Sequence, residues 1–248
     1  MRADVATDSI LIVGVGGLGV PALWSLARAG AQRLTFVDPD PVELSNLARQ
    51  VIYRSRDIGT PKVEAAARWL VERFPAVNVE THPVALDESN AERLIAEHDF
   101  VIDATDSPIA KFLINDTCIA ARTPFVYGGV VGMTGQAMTV IPTETACIRC
   151  VFETPPDEDE IQSCREAGIV GPVAGAIGEM QASEAMRALR AQTFSLSGKI
   201  LTYDASSPTR VRTTSVSPRP GCGCGAWRKR TERHESQAPA PVTESRQR

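Results

Sequence analysis

The sequence between positions 10 and 19 is Ile10-Leu11-Ile12-Val13-Gly14-Val15-Gly16-Gly17-Leu18-Gly19. Four consecutive apolar residues predict a short buried strand, and the glycines after it have the spacing G-x-G-x-x-G. A helical pattern then runs to Ala29, and Gly30 occupies the C′ position at which helices commonly end. Glycine is required where a turn is tight and where a side chain would keep a phosphate away from backbone N–H groups. The stretch therefore predicts a strand, a turn and a helix N-terminus that bind a nucleotide phosphate.

A carboxylate in the expected place supports this interpretation. Asp38 follows the apolar run 34–37 and lies 19 residues beyond Gly19. An acidic residue about 20 residues after such a turn binds ribose hydroxyls in nucleotide-binding folds. A glycine-rich turn alone also occurs in other α/β proteins, but the strand, the helix and the acid together favour a nucleotide site. They do not identify the nucleotide.

Strand and helix patterns alternate through the first half of the chain. This alternation predicts an α/β, Rossmann-like fold whose central sheet is mostly parallel, carries helices on both faces, and is extended by antiparallel strands in the second half. Beyond the first two strands and the first helix, helices are predicted at 62–74, 91–97, 108–121 and 172–189, and strands at 77–81, 100–104, 125–131, 136–141, 199–204 and 211–217.

The composition narrows the function classes. A net charge of −4 argues against a nucleic-acid-binding surface, and 5% aromatic residues argue against a base-stacking platform. The uncharged stretch 10–27 is interrupted by glycines and Pro21, so we interpret it as the buried strand and helix rather than a membrane span or signal peptide. We expect a cytoplasmic protein without membrane contacts, whose cysteines are thiols or metal ligands rather than disulfides.

Two pairs of cysteines indicate a metal site. Cys147 and Cys150 are separated by two residues, and Cys222 and Cys224 by Gly223 alone. Four thiolates suit a closed tetrahedral zinc ion, which would tie the C-terminal segment to the domain. The alternatives are four unrelated buried cysteines or a redox pair. The one-residue spacer requires a turn at Gly223, because alternate side chains of an extended segment point apart.

The other two cysteines differ in their surroundings. Cys118 lies in a helical apolar pattern and is expected to be a small core residue. Cys164 follows the acidic crossover 153–162 and precedes Arg165. A neighbouring cation favours the thiolate, so Cys164 is a candidate reactive thiol; an inert loop cysteine is the alternative.

Charged residues near the predicted strand ends are candidates for the chemistry. Close to phosphates, Arg49 would supply a fork of donors and Lys62 a point charge. Alternatively both are ordinary surface cations. We expect removal of Lys62 to affect the chemistry and to change stability little, because exposed charges contribute only ~0–1 kcal/mol. Asp103 and Asp106 end the fourth predicted strand, where carboxylates lie beside a ligand crevice. Asp106 could hold Mg²⁺ through waters, or could cap the next helix together with Ser107.

Taken in chain order, these residues resemble the MoeB/ThiF/HesA family, the bacterial relatives of ubiquitin-activating enzymes. The resemblance extends from about residue 9 to residue 225, and the segment 164–178 is most similar to the thiamine-pathway ThiF member. The matching segments are the glycine turn 14–19, Val-Asp-Pro-Asp at 37–40, Leu-Ser-Asn-Leu-Ala-Arg-Gln at 44–50, Gly-Thr-Pro-Lys-Val at 59–63, Asp-Ala-Thr-Asp at 103–106, Gly135-Gln136, the Cys147/Cys150 pair, Cys-Arg-Glu-Ala-Gly at 164–168 and the late Gly-Cys cluster.

The resemblance implies a nucleotidyltransferase that uses ATP and Mg²⁺ to adenylate the C-terminal Gly-Gly carboxylate of a ubiquitin-like sulfur-carrier protein. It also implies a homodimer, a structural zinc ion and a sulfurtransferase or cysteine desulfurase as a further partner. The adenylation domain would cover residues 1–225, with a nucleotide-binding half at 9–131 and a carrier and zinc half at 132–225. The polar, charged composition of residues 226–248 predicts a disordered tail.

The resemblance also implies roles for individual residues. Gln50 belongs to a matching segment, but we assign it no separate role. The implied roles are phosphate binding for Gly14, Gly16, Gly17 and Gly19, ribose binding for Asp38, phosphate contacts for Asn46, Arg49 and Lys62, Mg²⁺ binding for Asp106, zinc binding for Cys147, Cys150, Cys222 and Cys224, and a covalent link to the carrier for Cys164.

One departure from the family keeps other functions open. Family members usually begin with a helix whose Arg-Tyr-x-Arg-Gln segment reaches the partner subunit's ATP, whereas Arg2 is the only cation before the first strand here. A non-catalytic carrier-binding paralogue is therefore one alternative. An NAD-dependent Rossmann oxidoreductase shares the glycine turn and Asp38 but needs neither Arg49 nor Lys62. Activation of a carboxylate on a tRNA or a peptide is a third. Thiamine, molybdopterin and secondary-metabolite pathways all fit.

Overall fold

The computed structural model describes residues 9–156 and 168–225, which form one mixed sheet with helices on both faces. The 3₁₀ turns Leu44–Asn46 and Ser55–Asp57 lie between the second strand and the second helix. The helices are α1 (Gly19–Arg28), α2 (Lys62–Arg73), α3 (Ala91–Ala96), α4 (Pro108–Ala121), α5 (Ile148–Val151) and α6 (Gly171–Leu189). The strands are β1 (Ser9–Val13), β2 (Arg33–Val37), β3 (Asn78–His82), β4 (Phe100–Asp103), β5 (Phe125–Val131), β6 (Thr134–Val140), β7 (Lys199–Asp204) and β8 (Val211–Ser215).

The strand order across the sheet is β3-β2-β1-β4-β5-β6-β7-β8. Strands β1 to β5 pair in parallel, and the pairs β5–β6, β6–β7 and β7–β8 are antiparallel. The predicted fold class is confirmed. Strand β1 lies between β2 and β4. The chain therefore builds the sheet to one side of β1 with β2 and β3, and then to the other side with β4 and β5. This reversal is the topological switch point at which open α/β sheets bind ligands.

The apolar run of β1 is buried on both faces of the sheet. Ile10 and Ile12 pack in the core beneath α1, α2 and α6, and Leu11 and Val13 pack in the core beneath α3 and α4. None of the four is more than 3% exposed. A strand covered on both faces needs no polar alternation, which is why four consecutive apolar residues mark it in the sequence.

Most predicted elements agree with the structure to within two residues. Helix α4 has its predicted bounds, because Ser107 accepts a hydrogen bond from the backbone N–H of Ala110 and Pro108 occupies the first turn. Gly30 follows α1 with a φ of +93°, as its predicted C′ position requires. Strand β6 begins at Thr134, earlier than predicted, because that residue pairs with Val131 in the hairpin.

Two buried polar residues of α6 hold the sheet in register, and neither was predicted. The Nε2 atom of Gln181 donates to the backbone oxygen of Asp103 at 2.6 Å. The Glu184 carboxylate accepts a hydrogen bond from the Thr139 hydroxyl at 2.7 Å and from the backbone N–H of Leu196 at 3.1 Å. Helix α6 therefore fixes the end of β4, which lies beside the switch point of the sheet.

Some predictions fall outside the described residues, namely Cys164, residues 157–162 of the acidic crossover and the tail 226–248. The uncharged stretch 10–27 forms β1 and α1, as predicted. Among the helices of the described ranges, none combines the length and apolar character needed to cross a bilayer.

Candidate functional site

A cleft of about 640 Å³ opens at the carboxyl edge of the parallel strands, at the switch point. The loops that follow β1, β2 and β4 line it, together with the start of α2 and residues 85–88. The glycine turn, Asp38 and the Asp106 loop are far apart in the sequence, yet all three border this one cleft. The structure therefore brings the predicted nucleotide-site residues together.

The glycine turn is shaped by close backbone contacts. Gly14 has a φ of +92°, and a Cβ atom there would lie 2.6 Å from the backbone oxygen of Ala104. A Cβ atom at Gly19 would collide with the backbone oxygen of Gly14. These two glycines are required by the fold itself. Gly16 and Gly17 line the cleft and have no such close neighbour, so their missing side chains leave room for a ligand.

Two helix N-termini border the cleft. Gly17 and Leu18 precede the first turn of α1, and no side chain caps that helix. Ser107 and Ala110 belong to the start of α4, which also lines the cleft. The positive ends of both helix dipoles therefore favour an anion here.

Asp38 is almost fully buried at the end of β2, where it fixes the turn. Its Oδ2 atom accepts a hydrogen bond from the backbone N–H of Val15 at 2.7 Å, and its Oδ1 atom accepts one from that of Asp40 at 2.9 Å. Burial raises the pKa of Asp38, while Lys62 and these hydrogen bonds oppose the rise. Each carboxylate oxygen keeps a further lone pair for a hydroxyl in the cleft.

Lys62 begins α2 and lines the cleft, but it is not the surface cation that one alternative supposed. Only 6% of the residue is exposed. Its Nζ atom lies 2.7 Å from Oδ2 of Asp40 and 4.0 Å from Oδ1 of Asp38. The expectation that its removal changes stability little assumed an exposed charge, and that assumption is wrong because Lys62 is buried beside Asp38 and Asp40.

The other predicted phosphate contacts lie on the segment after β2. Arg49 lines the cleft and donates through Nη1 to the backbone oxygen of Ser45 at 3.0 Å. Asn46 is buried, and its Oδ1 atom accepts a hydrogen bond from the backbone N–H of Glu43 at 3.1 Å, which closes the 3₁₀ turn. Asn46 thus has a structural role and also lines the cleft.

The two carboxylates after β4 have different surroundings. Asp106 is exposed and lines the cleft, as predicted. Asp103 is fully buried and does not line it, so its expected place beside the crevice is wrong. It accepts hydrogen bonds from the N–H and hydroxyl of Thr105 and pairs with Lys111, whose Nζ lies 3.2 Å from Oδ1. Asp103 therefore shapes the loop that carries Asp106.

Tyr53 was missed by the sequence analysis, although it is buried directly beneath the glycine turn. Its hydroxyl donates to the backbone oxygen of Val15 at 2.8 Å and lies 3.3 Å from that of Lys62. Gln50 also lies beside this turn: its Oε1 atom is buried and has no hydrogen-bond partner among the described residues. A tyrosine whose partner precedes it by 38 residues gives no periodic signal in the sequence.

The four predicted metal ligands form a cluster on the opposite face of the sheet from α1. The Sγ atoms of Cys147, Cys150, Cys222 and Cys224 all lie within 4.8 Å of one another. The Sγ–Sγ distances are 3.9 Å for Cys147–Cys150, 3.7 Å for Cys147–Cys222 and 3.7 Å for Cys150–Cys224. A tetrahedral zinc ion with Zn–S bonds of ~2.3 Å requires S···S separations of about 3.8 Å, so the donor set fits the metal.

A turn in the second cysteine pair makes this geometry possible. The backbone N–H of Gly225 donates to the oxygen of Cys222 at 3.2 Å, which brings both thiols to one side. Contact with Cys224, and then burial, raises the pKa of the Cys147 thiol. Crowded thiolates repel one another, and a cation among them removes that repulsion.

Helix α5, which carries Cys150, is fastened to α4. The Asn115 side chain accepts a hydrogen bond from the backbone N–H of Ile148 at 2.9 Å. The Arg149 guanidinium donates to both carboxylate oxygens of Asp116, at 2.8 and 2.7 Å. Cys118 lies on α4 and is fully buried, as predicted for a core residue.

The sequence model of the ThiF family matches residues 2–224 of this chain. The chain belongs to the ThiF family. The resemblance identified from the motifs is therefore confirmed, and membership of this family supports ATP use.

Several curated relatives share more than a third of their aligned residues with this chain. The SAMP-activating enzyme E1 of Haloferax volcanii is 39% identical over 84% of this chain and 77% of its own length. The sulfur carrier protein adenylyltransferase of Thermus thermophilus is 38% identical over 79% of this chain and 74% of its own. The adenylyltransferase and sulfurtransferase MOCS3 of Arabidopsis thaliana is 37% identical over 83% of this chain but 44% of its own. The chain thus spans about three-quarters of the first two and less than half of MOCS3.

Solved structures show the same fold at lower identity. Escherichia coli MccB with ATP superimposes with a TM-score of 0.77 at 20% identity, over 88% of this chain and 67% of that one. PaaA superimposes with a TM-score of 0.66 at 22% identity, over 85% of this chain and 64% of that one. The described part of the chain therefore has the same overall fold as MccB.

Proposed function

We propose that the chain is an adenylyltransferase that joins the C-terminal Gly-Gly carboxylate of a ubiquitin-like sulfur carrier to AMP and releases pyrophosphate. One observation carries this proposal: Arg49 and Lys62 line the same cleft as the glycine turn and Asp38. A dehydrogenase with the same turn has no triphosphate to neutralise. The names of the relatives, a sulfur carrier protein adenylyltransferase and a SAMP-activating enzyme, support the substrate class.

In this proposal the roles follow from position in the cleft. The N–H groups of Gly16 and Gly17 and the start of α1 bind phosphate oxygens. Gly14 and Gly19, for which the resemblance also implied phosphate binding, shape the turn: the Gly14 N–H donates to the backbone oxygen of Val37 at 2.8 Å, and Gly19 packs against the backbone oxygen of Gly14. Asp38 binds the ribose hydroxyls. Asn46, Arg49 and Lys62 contact the phosphates.

The reaction needs no general base. A terminal carboxylate is ionised at pH 7, so it attacks the α-phosphate without losing a proton. The barrier comes from bringing two anions together and from the charge that grows on the pyrophosphate leaving group. Arg49, Lys62 and the positive helix ends oppose that charge from fixed positions, which is the form of stabilisation that costs least reorganisation.

Magnesium fits the remaining charge of the cleft. Side-chain carboxylates outnumber cations in its lining, because Asp40, Glu43, Asp87, Glu88 and Asp106 accompany Asp38. Such a lining would repel a triphosphate unless a divalent cation neutralised part of the negative charge. We assign Mg²⁺ to Asp106, which is exposed in the cleft; Mg²⁺ is commonly held by one or two carboxylates, phosphates and water. When bound, it would neutralise charge on the phosphates.

Zinc in the four-cysteine cluster has a structural role in this proposal. It would join Cys147, which precedes α5, and Cys150, within α5, to the segment that follows β8. No reaction step requires it, since none of the four cysteines lines the cleft. Its removal should therefore affect folding before it affects nucleotide binding.

The remaining assignments also follow from the family. We propose a homodimer in the cytoplasm, with a sulfurtransferase or cysteine desulfurase as a second partner and the carrier and zinc site in the half 132–225. The thiamine and molybdopterin pathways are both candidates. A covalent link between Cys164 and the carrier stays a prediction, because Cys164 lies outside the described residues.

ATP–pyrophosphate exchange tests this function. Carriers of the thiamine and molybdopterin pathways and an archaeal SAMP serve as substrates, each with a matched variant that lacks the final Gly-Gly. We expect exchange with at least one intact carrier and none with its truncated form. ATP-independent carrier binding without exchange would favour the non-catalytic paralogue, and NADH binding in place of ATP would favour an oxidoreductase.

A further inference from the structure

Val15, in the middle of the glycine turn, is held from two sides. Its N–H donates to Oδ2 of Asp38 at 2.7 Å, and its backbone oxygen accepts a hydrogen bond from the Tyr53 hydroxyl at 2.8 Å. Both contacts are buried. The two peptide units that flank the Val15 Cα atom are therefore each fixed by one buried hydrogen bond, and rotating either unit would break its bond.

This arrangement determines where the next amide points. A trans peptide unit is planar, so the oxygen of Val15 and the N–H of Gly16 point in opposite directions. Tyr53 holds the oxygen toward the protein interior. The Gly16 N–H is consequently directed to the other side, where Gly16 lines the cleft.

The hydroxyl of Tyr53 also connects the turn to the cation of the site. It lies 3.3 Å from the backbone oxygen of Lys62, the first residue of α2. Burial, and then the charges of Asp38 and Asp57, raises the pKa of Tyr53 well above its ordinary value. The hydroxyl therefore stays protonated at physiological pH and is always available as a donor.

We propose that Tyr53 is a positioning residue for phosphate binding: its hydroxyl orients the Gly16 amide toward the phosphates and keeps it in register with Lys62. The inference rests on the proposed function, because it assumes that the cleft binds ATP. Tyr53 itself does not line the cleft. A purely structural tyrosine would support the fold without favouring phosphate over any other part of the nucleotide.

The test compares ligands that differ in their phosphates. The affinities of the whole chain for ATP and adenosine are measured by calorimetry for the parent, Tyr53→Phe and Tyr203→Phe. Tyr203 lies on β7 and does not line the cleft, so it controls for the loss of a hydroxyl. We expect Tyr53→Phe to weaken ATP binding about tenfold, the loss typical of one hydrogen bond, and adenosine binding less than twofold.

A second measurement guards against a variant that folds poorly. The amide resonance of Gly16 is followed by NMR while pyrophosphate is added to each protein. We expect a large shift in the parent and in Tyr203→Phe, and a reduced shift in Tyr53→Phe. Equal weakening of ATP and adenosine, or an unchanged Gly16 response, would overturn the positioning role while leaving the proposed function intact. A parent that binds no ATP would overturn both.

Discussion

The Nζ atom of Lys62 lies 2.7 Å from Oδ2 of Asp40, in a position almost closed to solvent. Asp40 itself is mostly exposed, with 62% of its side chain accessible, so ATP phosphates can compete with it for Lys62. We therefore propose two functions for Lys62, one toward the ligand and one toward the buried carboxylate of Asp38, 4.0 Å away.

Lys62→Met tests both functions. Removing a fixed cation from the transition state should slow pyrophosphate exchange by about two to three orders of magnitude. The free energy of unfolding should also fall, by about 1–3 kcal/mol at neutral pH, because Asp38 loses its partner. Lys199→Met, on an exposed strand end, serves as the control and should change neither.

The stability loss should depend on pH. Burial raises the pKa of Asp38 from its ordinary value of 3.8, and Lys62 opposes that rise, so the pKa increases further in Lys62→Met. The native variant then holds a proton that the unfolded chain has released, and its stability falls as the pH rises from about 4 toward 7. Urea unfolding at pH 5 and pH 7.5 should show the larger deficit at pH 7.5. An equal deficit at both values would contradict the pairing.

Gly16→Ala isolates the ligand side of the glycine turn. Among the described residues a Cβ atom there would meet Nε2 of Gln50 alone, at an ordinary 3.5 Å, so the fold should accept it. The methyl group would occupy space in the cleft, and ATP affinity should fall by about tenfold or more. The control is Gly175→Ala in α6, which has open space around it and should bind ATP normally. Unchanged ATP affinity in Gly16→Ala would mean that the phosphates do not bind at the glycine turn.

Metal analysis tests the cysteine cluster. Protein prepared without chelators should contain about one zinc ion per chain, as expected for a closed site with four thiolates. Cys147→Ser should lose the metal and lower the melting temperature, whereas ATP affinity should persist because the cluster does not line the cleft. Cys118→Ala, a core cysteine outside the cluster, should retain the metal. Metal-free parent protein with a normal melting temperature would rule the site out.

His98 should make the protein sensitive to mild acid. Its ring nitrogens lie 2.6 Å from the backbone oxygen of Leu94 and 2.7 Å from the Thr35 hydroxyl. Burial lowers the pKa of His98, an effect that Arg33 reinforces, while the Leu94 hydrogen bond, Glu80 and Glu97 oppose it. The unfolded chain therefore takes up the proton first, and stability falls as the pH drops below about 6.5.

The measurement is the melting temperature between pH 7.5 and pH 5. We expect His98→Gln to show a smaller decrease than the parent. If the melting temperature of His98→Gln decreases as much as that of the parent, groups other than His98 cause the acid sensitivity.

Local signals in the sequence explain why so much of the fold was predictable. The four apolar residues of β1, the Ser107 cap of α4 and the C′ Gly30 each act on their immediate neighbours. The one-turn helix α5 was missed because four residues cannot show a helical period. The glycine turn and Asp38 were found for the same reason as β1: their spacing along the chain is itself the signal.

The errors concern burial and distant partners. Lys62 reads as a helix-start lysine, and only the fold reveals that Asp38 and Asp40 enclose it. Asp103 was expected beside the ligand, but Lys111 pairs with it in the interior. Tyr53 was overlooked because its partner Val15 belongs to another element, and no periodicity connects them.

Formation of the carrier acyl-adenylate tests the central claim most directly. The protein is incubated with ATP, Mg²⁺ and each Gly-Gly carrier, and the intact carrier is weighed by mass spectrometry. We predict a carrier heavier by one bound AMP, an adduct that hydroxylamine removes and that the carrier without its Gly-Gly terminus never forms. ATP binding in the cleft without an AMP adduct on any Gly-Gly carrier would contradict the account.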